Sequence, residues 1–277
     1  MPKPFMHAND NNNANTPERA EDLKPTGTAA FSKFLAVLQC IADAPSPPSI
    51  AQLTSLACYP RPTVYRIVGA LIAEGLVIES PRGGSYLLGP RLLSLASRSW
   101  ERSDLRIAAS ESLQALRDIT QETVHLAVRS GSEMVYIEKL ESPHAVRMAS
   151  RIGTRVTLYS SSVGKAYLSS LKRVNRDALL GTLSFEKFTP NTIIERAALD
   201  AELDATQARG YSEDREENEE QIFCYGSAIT GANGEPLACV SISIPLYRKS
   251  ATPLDTYITP LKEACRAIAE SVGPGSR

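Results

Sequence analysis

The chain has 277 residues, 43% apolar and 22% charged, with a formal net charge of −1. That leaves room for two domains of ordinary size and excludes global disorder and a uniformly basic nucleic-acid coat. A local basic surface remains open. Residues 29–106 sum to +3, so mild a charge that any duplex-binding role calls for several copies of the chain. The five cysteines (40, 58, 224, 239, 265) are scattered and odd in number, with no CxxC and no Cys/His cluster. Neither a disulfide framework nor a zinc knuckle is indicated, and reduced thiols are the simplest account. No apolar run approaches the ~18 residues of a membrane span, and the N-terminus lacks a signal segment. A soluble cytoplasmic protein without a membrane partner is expected.

Residues 1–28 are rich in Asn, Pro and charge and have almost no apolar periodicity, so they are expected to form a disordered tail. A first helix is predicted from about Ala30 to Ala44, with Phe31, Phe34, Leu35, Leu38 and Ile41 on one face. Pro45-Ser46-Pro47-Pro48 ends it. Ser49 can cap a short second helix carrying Ile50, Leu53, Leu56 and Ala57. Tyr59-Pro60-Arg61-Pro62 breaks that helix, and Pro62 can open a third, where its missing amide costs nothing. Val64, Ile67, Val68, Leu71 and Ile72 form the third helix's apolar stripe, and Gly75 is a natural stop. Its other face begins with Arg61, Thr63, Tyr65 and Arg66. Arginine can fork onto guanine or grip phosphate, and the hydroxyl and phenol can reach base edges or backbone oxygens. A plain helical hairpin with solvated arginines is the competing account. Leu76–Glu79 and Tyr86–Leu88 read as strands around the turn Pro81-Arg82-Gly83-Gly84-Ser85. Three helices followed by a hairpin make a winged helix-turn-helix over residues 29–89, in which the wing sets Arg82 and Ser85 beside the phosphate backbone. Lys33 adds a cation from the first helix.

Thr63-Val64-Tyr65-Arg66, then Leu71-x-x-Glu74-Gly75-Leu76-Val77 and Tyr86-x-Leu88-Gly89-x-Arg91-Leu92-Leu93, resemble the DNA-binding half of the IclR family of bacterial transcription regulators. The family's turn-helix junction reads L-P-K-S-T-V-Y-R; here Arg61 replaces its lysine and Pro62 its serine. The resemblance implies a double-stranded DNA operator as partner, and a homodimer or homotetramer presenting two recognition helices to half-sites. Residues 90–104, helical with Leu92, Leu93, Leu95 and Ala96 apolar, then read as a linker helix that helps to dimerise the DNA-binding halves.

A second domain, residues 105–273, opens with a helix over Leu105–Gln121 striped by Leu105, Ala109, Leu113, Leu116 and Ile119. Strands follow at Thr123–Arg129 and Met134–Leu140. Glu122–Val128 and Val135–Ser142 resemble the start of the family's effector domain, which implies an α+β chain overall with a GAF-like α/β second domain built on a mainly antiparallel sheet. His125 has no local His, Cys or carboxylate partner and is read as a satisfied sheet histidine. Gly153–Ala166 is a Ser/Gly-rich loop opening a helix over Gly164–Leu171, whose free amides could face an anion. Within the resemblance it matches the loop G-x-R-x-P-L-H-x-T-A-x-G-K-A at the pocket mouth, with Thr157 for proline, Tyr159 for histidine and Ser161-Ser162 for Thr-Ala. Helical segments are predicted around Leu179 and over Thr192–Arg209, stopped by Gly210. The run Glu216-Glu217-Asn218-Glu219-Glu220 reads either as a metal or catalytic carboxylate site or as a solvated acidic turn. The family's version carries a glycine where Gln221 stands. Strands are predicted at Ile222–Thr230 and Leu237–Ile244, with Cys239, Ser241 and Ser243 on one face of the second. Ser241 and Ser243, with Cys224 on the hairpin partner, form a small polar patch that suits the carboxylate of a small organic acid, or simply a packed interior. A last helix over Asp255–Val272 packs on the sheet, and 274–277 are a loose end.

The resemblance implies that Ser162, Val163, Asp214, Cys224, Ser241 and Ser243 line an effector cavity. The implied function is transcription regulation by a small organic or aromatic acid from a catabolic pathway, without enzymatic activity or cofactor. Two other readings remain: a metal sensor using His125, Asp214, Cys224 and the glutamates, and a Cys224 nucleophile with His125 as base and Asp214 as orienter. A thiol needs a lowered pKa to react, and a mid-strand position is usually inert.

Overall fold

The computed structural model describes residues 29–101, 104–145 and 148–272, with side chains of 99–101 excepted. The tail expected over 1–28, the end of the linker helix at 102–104 in part, and the loose end at 274–277 lie outside them. The described residues divide between Ser99 and Trp100 into two compact units.

The first unit holds helices α1 (Ala29–Asp43), α2 (Ile50–Ala57) and α3 (Arg61–Ala73), the hairpin β1 (Val77–Glu79) and β2 (Tyr86–Leu88), and most of α4 (Pro90–Glu101). Ser49 caps α2 in a reciprocal box: its Oγ accepts from the Gln52 amide, and its own amide donates to Gln52 Oε1 at 2.8 Å. Helix α3 starts at Arg61, so Pro62 sits one position further in than expected; the amide it lacks is still one of the first turn's unpaired four. Gly75, at φ +68, ends α3: its amide reaches Ile72 O and that of Leu76 reaches Leu71 O, the paired bonds of a left-handed helix stop. Val37, Ile41, Leu53, Val64, Ile67, Val68, Leu71 and Val77 form the core. Phe31, Leu35, Leu56 and Ile72, expected on buried stripes, are instead exposed, because short helices in a three-helix unit touch neighbours over a narrow arc. The hairpin pairs Val77 with Leu88 and Glu79 with Tyr86.

The second unit is a six-stranded antiparallel sheet between two helical layers. Its strands are β3 (Thr123–Ser130), β4 (Glu133–Leu140), β5 (Arg155–Thr157), β6 (Ser212–Arg215), β7 (Ile222–Thr230) and β8 (Pro236–Pro245), in the spatial order β5-β4-β3-β8-β7-β6. The short strands β5 and β6 were not anticipated; both are edges whose pairing comes entirely from a partner strand. Helices α5 (Asp104–Thr120) and α9 (Thr259–Val272), the latter preceded by a π-helical turn at Leu254–Ile258, cover one face. Leu113, Leu116, Val240, Ile242, Ile244, Leu261 and Ile268 meet there, whereas Ile119, expected on the stripe, is exposed. Helices α6 (Ser162–Ser170), α7 (Arg173–Leu180) and α8 (Arg196–Arg209) belong to the other layer, where Ala127, Val163, Leu168, Leu180, Leu199 and Cys239 are packed together. The alternation along β8 decides this division: Val240 and Ile242 go to one core, Cys239 to the other.

Candidate effector cavity and nucleic-acid interface

In the first unit, α3 presents Arg61, Pro62, Tyr65 and Arg66 as exposed residues, with Thr63 half-buried. A cleft of about 400 Å³ brings Lys33 of α1 beside Thr63 and Arg66. The Lys33 ammonium also lies 5.7 Å from the centre of the Tyr59 ring. Arg82, exposed, lies at the hairpin tip with Gly83 and Gly84, both at positive φ, and the Glu79 carboxylate accepts from the Gly84 amide. Ser85 is half-buried where the turn meets β2, bridged to Ser49, with its carbonyl accepting from Ser80. The bridge braces the wing against the start of α2.

In the second unit a cavity of about 280 Å³ opens on the α6 side of the sheet. Strand register builds its floor. Asp214 pairs with Cys224 across β6 and β7, and Cys224 with Ser243 across β7 and β8, so the three side chains lie in one row. His125 on β3 and Tyr136 on β4 extend the wall, their rings stacked at 4.2 Å. Ser161 and Ser162, at the start of α6, close the cavity from above. Ser161 caps that helix, its Oγ accepting from the Gly164 amide at 3.1 Å. Two glycines let α6 come this close. A Cβ on Gly164 would meet the Leu158 backbone at 2.5 Å, and one on Gly226 would meet the Ser162 carbonyl oxygen at 2.7 Å.

Four of the six residues assigned to the cavity from sequence, Ser162, Asp214, Cys224 and Ser243, stand in its lining. Val163 and Ser241 do not. Val163 is fully buried in the packing of α6. Ser241 pairs with Gly226, so it lies where the first turn of α6 presses on the sheet, 1% exposed and with no hydrogen-bond partner for its Oγ. Met148, Ser150 and Ile222 line the cavity and were not singled out beforehand, and Asn218 and Glu219 of the acidic run line it too; only the fold brings these segments to this place.

The charges are arranged unusually. Among the described residues no lysine or arginine lines the cavity. Burial raises the Asp214 carboxyl to about 7, even though its Oδ1 accepts from the amides of Glu217 (2.8 Å) and Asn218 (3.2 Å). His125 is driven the other way, to about 3, by burial and then by Lys139, so it is neutral at physiological pH. Its Nε2 lies 2.7 Å from Ser150 Oγ and its Nδ1 3.4 Å from Ser243 Oγ. Lys139 itself ties down the loop over the cavity, donating to the carbonyls of Met148 (2.8 Å) and Ser150 (2.6 Å). The acidic run is not a solvated turn throughout. Glu217 is buried and accepts from Lys165, which is fully buried in α6, at 2.5 Å. Gln221, at the family's glycine position, holds φ +64, which a side chain tolerates poorly.

The chemistry of a cysteine nucleophile is not supported. Cys224, His125 and Asp214 do share the cavity, but the Cys224 thiol donates to Ser243 at 3.3 Å rather than to His125. Burial, and then Asp214, push that thiol well above its ordinary value, and a histidine held neutral near 3 supplies no cation to lower it. Among the described residues no group of three or more His, Cys, Asp or Glu side chains converges as a metal site would require.

Residues 30–81 match the IclR helix-turn-helix domain, and residues 98–270 match the C-terminal domain of the bacterial transcriptional regulator IclR. The chain belongs to the IclR family. The HTH-type transcriptional regulator KdgR of Escherichia coli K12 is 31% identical over 252 residues, spanning 91% of this chain and 95% of KdgR. Among solved structures, that of Thermotoga maritima IclR is 31% identical at a TM-score of 0.69, covering 87% of this chain and 98% of that one. An IclR homolog from Microbacterium hydrocarbonoxydans, complexed with 4-hydroxybenzoate, shares the fold at a TM-score of 0.73 and 23% identity, over 88% of this chain and 99% of its own. As an IclR-family member the chain is a DNA-binding transcription regulator with an effector-binding C-terminal domain, not an enzyme. No helix among the described residues is long and apolar enough to cross a membrane.

Proposed function

We propose that this regulator reads its operator through Arg61, Thr63, Tyr65 and Arg66 of α3, supported by Lys33 and Arg82, and that the cavity beneath α6 takes a small organic acid. The row Asp214–Cys224–Ser243 facing the first turn of α6 carries this reading. A carboxylate entering a cavity whose described lining holds no cation needs hydrogen-bond donors. The first-turn amides of α6 supply them, and so does Asp214 when protonated, as its raised pKa favours. The volume suits an acid of benzoate size. Binding changes DNA affinity only if the ligand favours one arrangement of the DNA-binding halves over another. A dimer or tetramer acting on paired half-sites in the cytoplasm completes the proposal.

The test has two parts. A duplex selected from a random pool should bind the wild-type chain, and Arg66→Ala and Arg61→Ala should each weaken it about tenfold or more. Calorimetry with 4-hydroxybenzoate and related acids should give binding that Ser243→Val abolishes. DNA binding unaffected by either arginine change would refute the assignment of α3; acid binding indifferent to Ser243→Val would refute that of the cavity.

A further inference from the structure

A second concavity, of about 640 Å³, lies against the same edge of the sheet. It shares three wall residues with the effector cavity: Thr154, Val156 and Asn218. Its floor is aromatic. Tyr159 meets Phe185 edge-on at 5.0 Å and lies nearly parallel to Phe188 at 6.2 Å. The Tyr159 hydroxyl is pinned on both sides, donating to the Glu186 carbonyl at 2.9 Å and accepting from the Glu186 amide at 2.7 Å. The rings are thus set in place before anything binds. Phe188 nevertheless remains 44% exposed beside a pocket mouth.

The seam between the two spaces is tied to the residue that would meet the acid. The amides of Asn218 and Glu217 donate to Asp214 Oδ1, and Asn218 Oδ1 accepts from Ser160 Oγ at 3.1 Å. One turn therefore borders both the cavity and the groove. The first cavity, at about 280 Å³, is at the small end for a ligand site, and typical sites span roughly 300–1,000 Å³.

We propose that the effector site is bipartite: the cavity beneath α6 holds a carboxylate, and the groove of Tyr159, Phe185 and Phe188 holds an aryl ring joined to it by a short chain. The ligand class is then an arylalkanoic or arylalkenoic acid, longer than a benzoate. The inference rests on the carboxylate reading of the cavity. A ring suits the groove better than an alkyl tail because Phe188 offers an exposed ring to stack against. The exposed hydroxyl-bearing residues Thr182 and Ser184, also in the groove, can meet polar substituents on the ring.

Calorimetric titration of the full chain with benzoate, phenylacetate, 3-phenylpropanoate and 4-phenylbutanoate tests this. Affinity should rise by about tenfold or more from benzoate to the best longer acid, as buried methylenes and ring stacking accumulate. Phe188→Ala removes the stacking face, and Ser184→Trp fills the groove; in each, the ratio of long-acid to benzoate affinity should fall to within about twofold of one. A flat series in the wild type, or a rising series that persists in both variants, overturns the groove. If benzoate binding is then still lost in Ser243→Val, the cavity reading survives alone. Failure of all four acids to bind overturns the arylalkanoic class, and pyruvate binding that depends on Ser243 would show that the cavity reading outlives it.

Discussion

Asp214 is the residue in which the effector domain's chemistry is most concentrated. It stands at the edge-strand end of an in-register row, it caps the turn carrying Asn218, and burial holds its carboxyl near 7 instead of 3.8. Folding thus favours its protonated form. That contribution to stability is complete below pH 3.8 and is lost as pH rises through about 7. A bound carboxylate favours the protonated form further, so ligand uptake is accompanied by proton uptake. Affinity for an organic acid should be level below pH 7 and fall by up to about tenfold per pH unit above it. Calorimetry across pH 6–9 measures this, and Asp214→Asn, which keeps a donor and cannot ionise, should flatten the profile. A profile equally steep in Asp214→Asn would assign the dependence to another group. Lys165 is the second residue with a measurable role. It has no exposed surface, it pairs with Glu217 at 2.5 Å, and Glu202 lies 3.8 Å away. Lys165→Ala leaves a buried carboxylate without its cation and should cost about 3–5 kcal/mol in chemical denaturation. Lys165→Met combined with Glu217→Gln should recover much of that loss, because removing both charges costs far less than removing one. The frame Gly164-Lys165-Ala166 is visible in the sequence; that its lysine is buried with Glu217 is not, since 52 residues separate the pair.

Among the elements, α6 depends most on exact fit. Its first turn rests on the sheet at Gly226, and Gly164 lies against the Leu158 backbone. Gly226→Ala should therefore distort the floor of the cavity: thermal stability should drop and acid binding weaken together, since the buried Ser212 Oγ at 2.5 Å and the Ser162 backbone at 2.7 Å stand in the way. An unchanged melting temperature would mean that α6 moves aside at little cost. Helix α2 is held by local chemistry instead. Ser49→Ala removes one half of its capping box and should destabilise the first unit by about 1 kcal/mol. The contrast explains what each element disclosed beforehand. Serine before an apolar helix and glutamine three residues on is a local pattern, so α2 and its cap were legible. The strands β5 and β6 are three and four residues long and lie at the sheet's edges, so they lack the alternation that marks a strand and exist through their partners.

At the scale of the whole molecule, two units with separate cores carry separate tasks. Arg66→Ala should weaken DNA binding while leaving acid affinity unchanged, and Ser243→Val should do the reverse; a gel shift and a calorimetric titration on each variant check the pair. DNA affinity should also fall steeply with salt, and Arg82→Ala should reduce that slope by about one unit if the wing tip meets phosphate. The helical spacing of Val64, Ile67, Val68 and Leu71, the turn at Gly75 and the alternation along β8 were all determined by the sequence itself, because each is a pattern of neighbours along the chain. The family motifs, recurring in order, extended that to four of the six cavity residues. Only the tertiary structure decided the rest. It put Ser241 beneath α6 instead of in the cavity, and Glu217 in the interior instead of in water. The physical reason is common to both. Facing and burial depend on which distant segment packs against a residue, and here one close approach of α6 to β7, allowed by a missing side chain at Gly226, settles both.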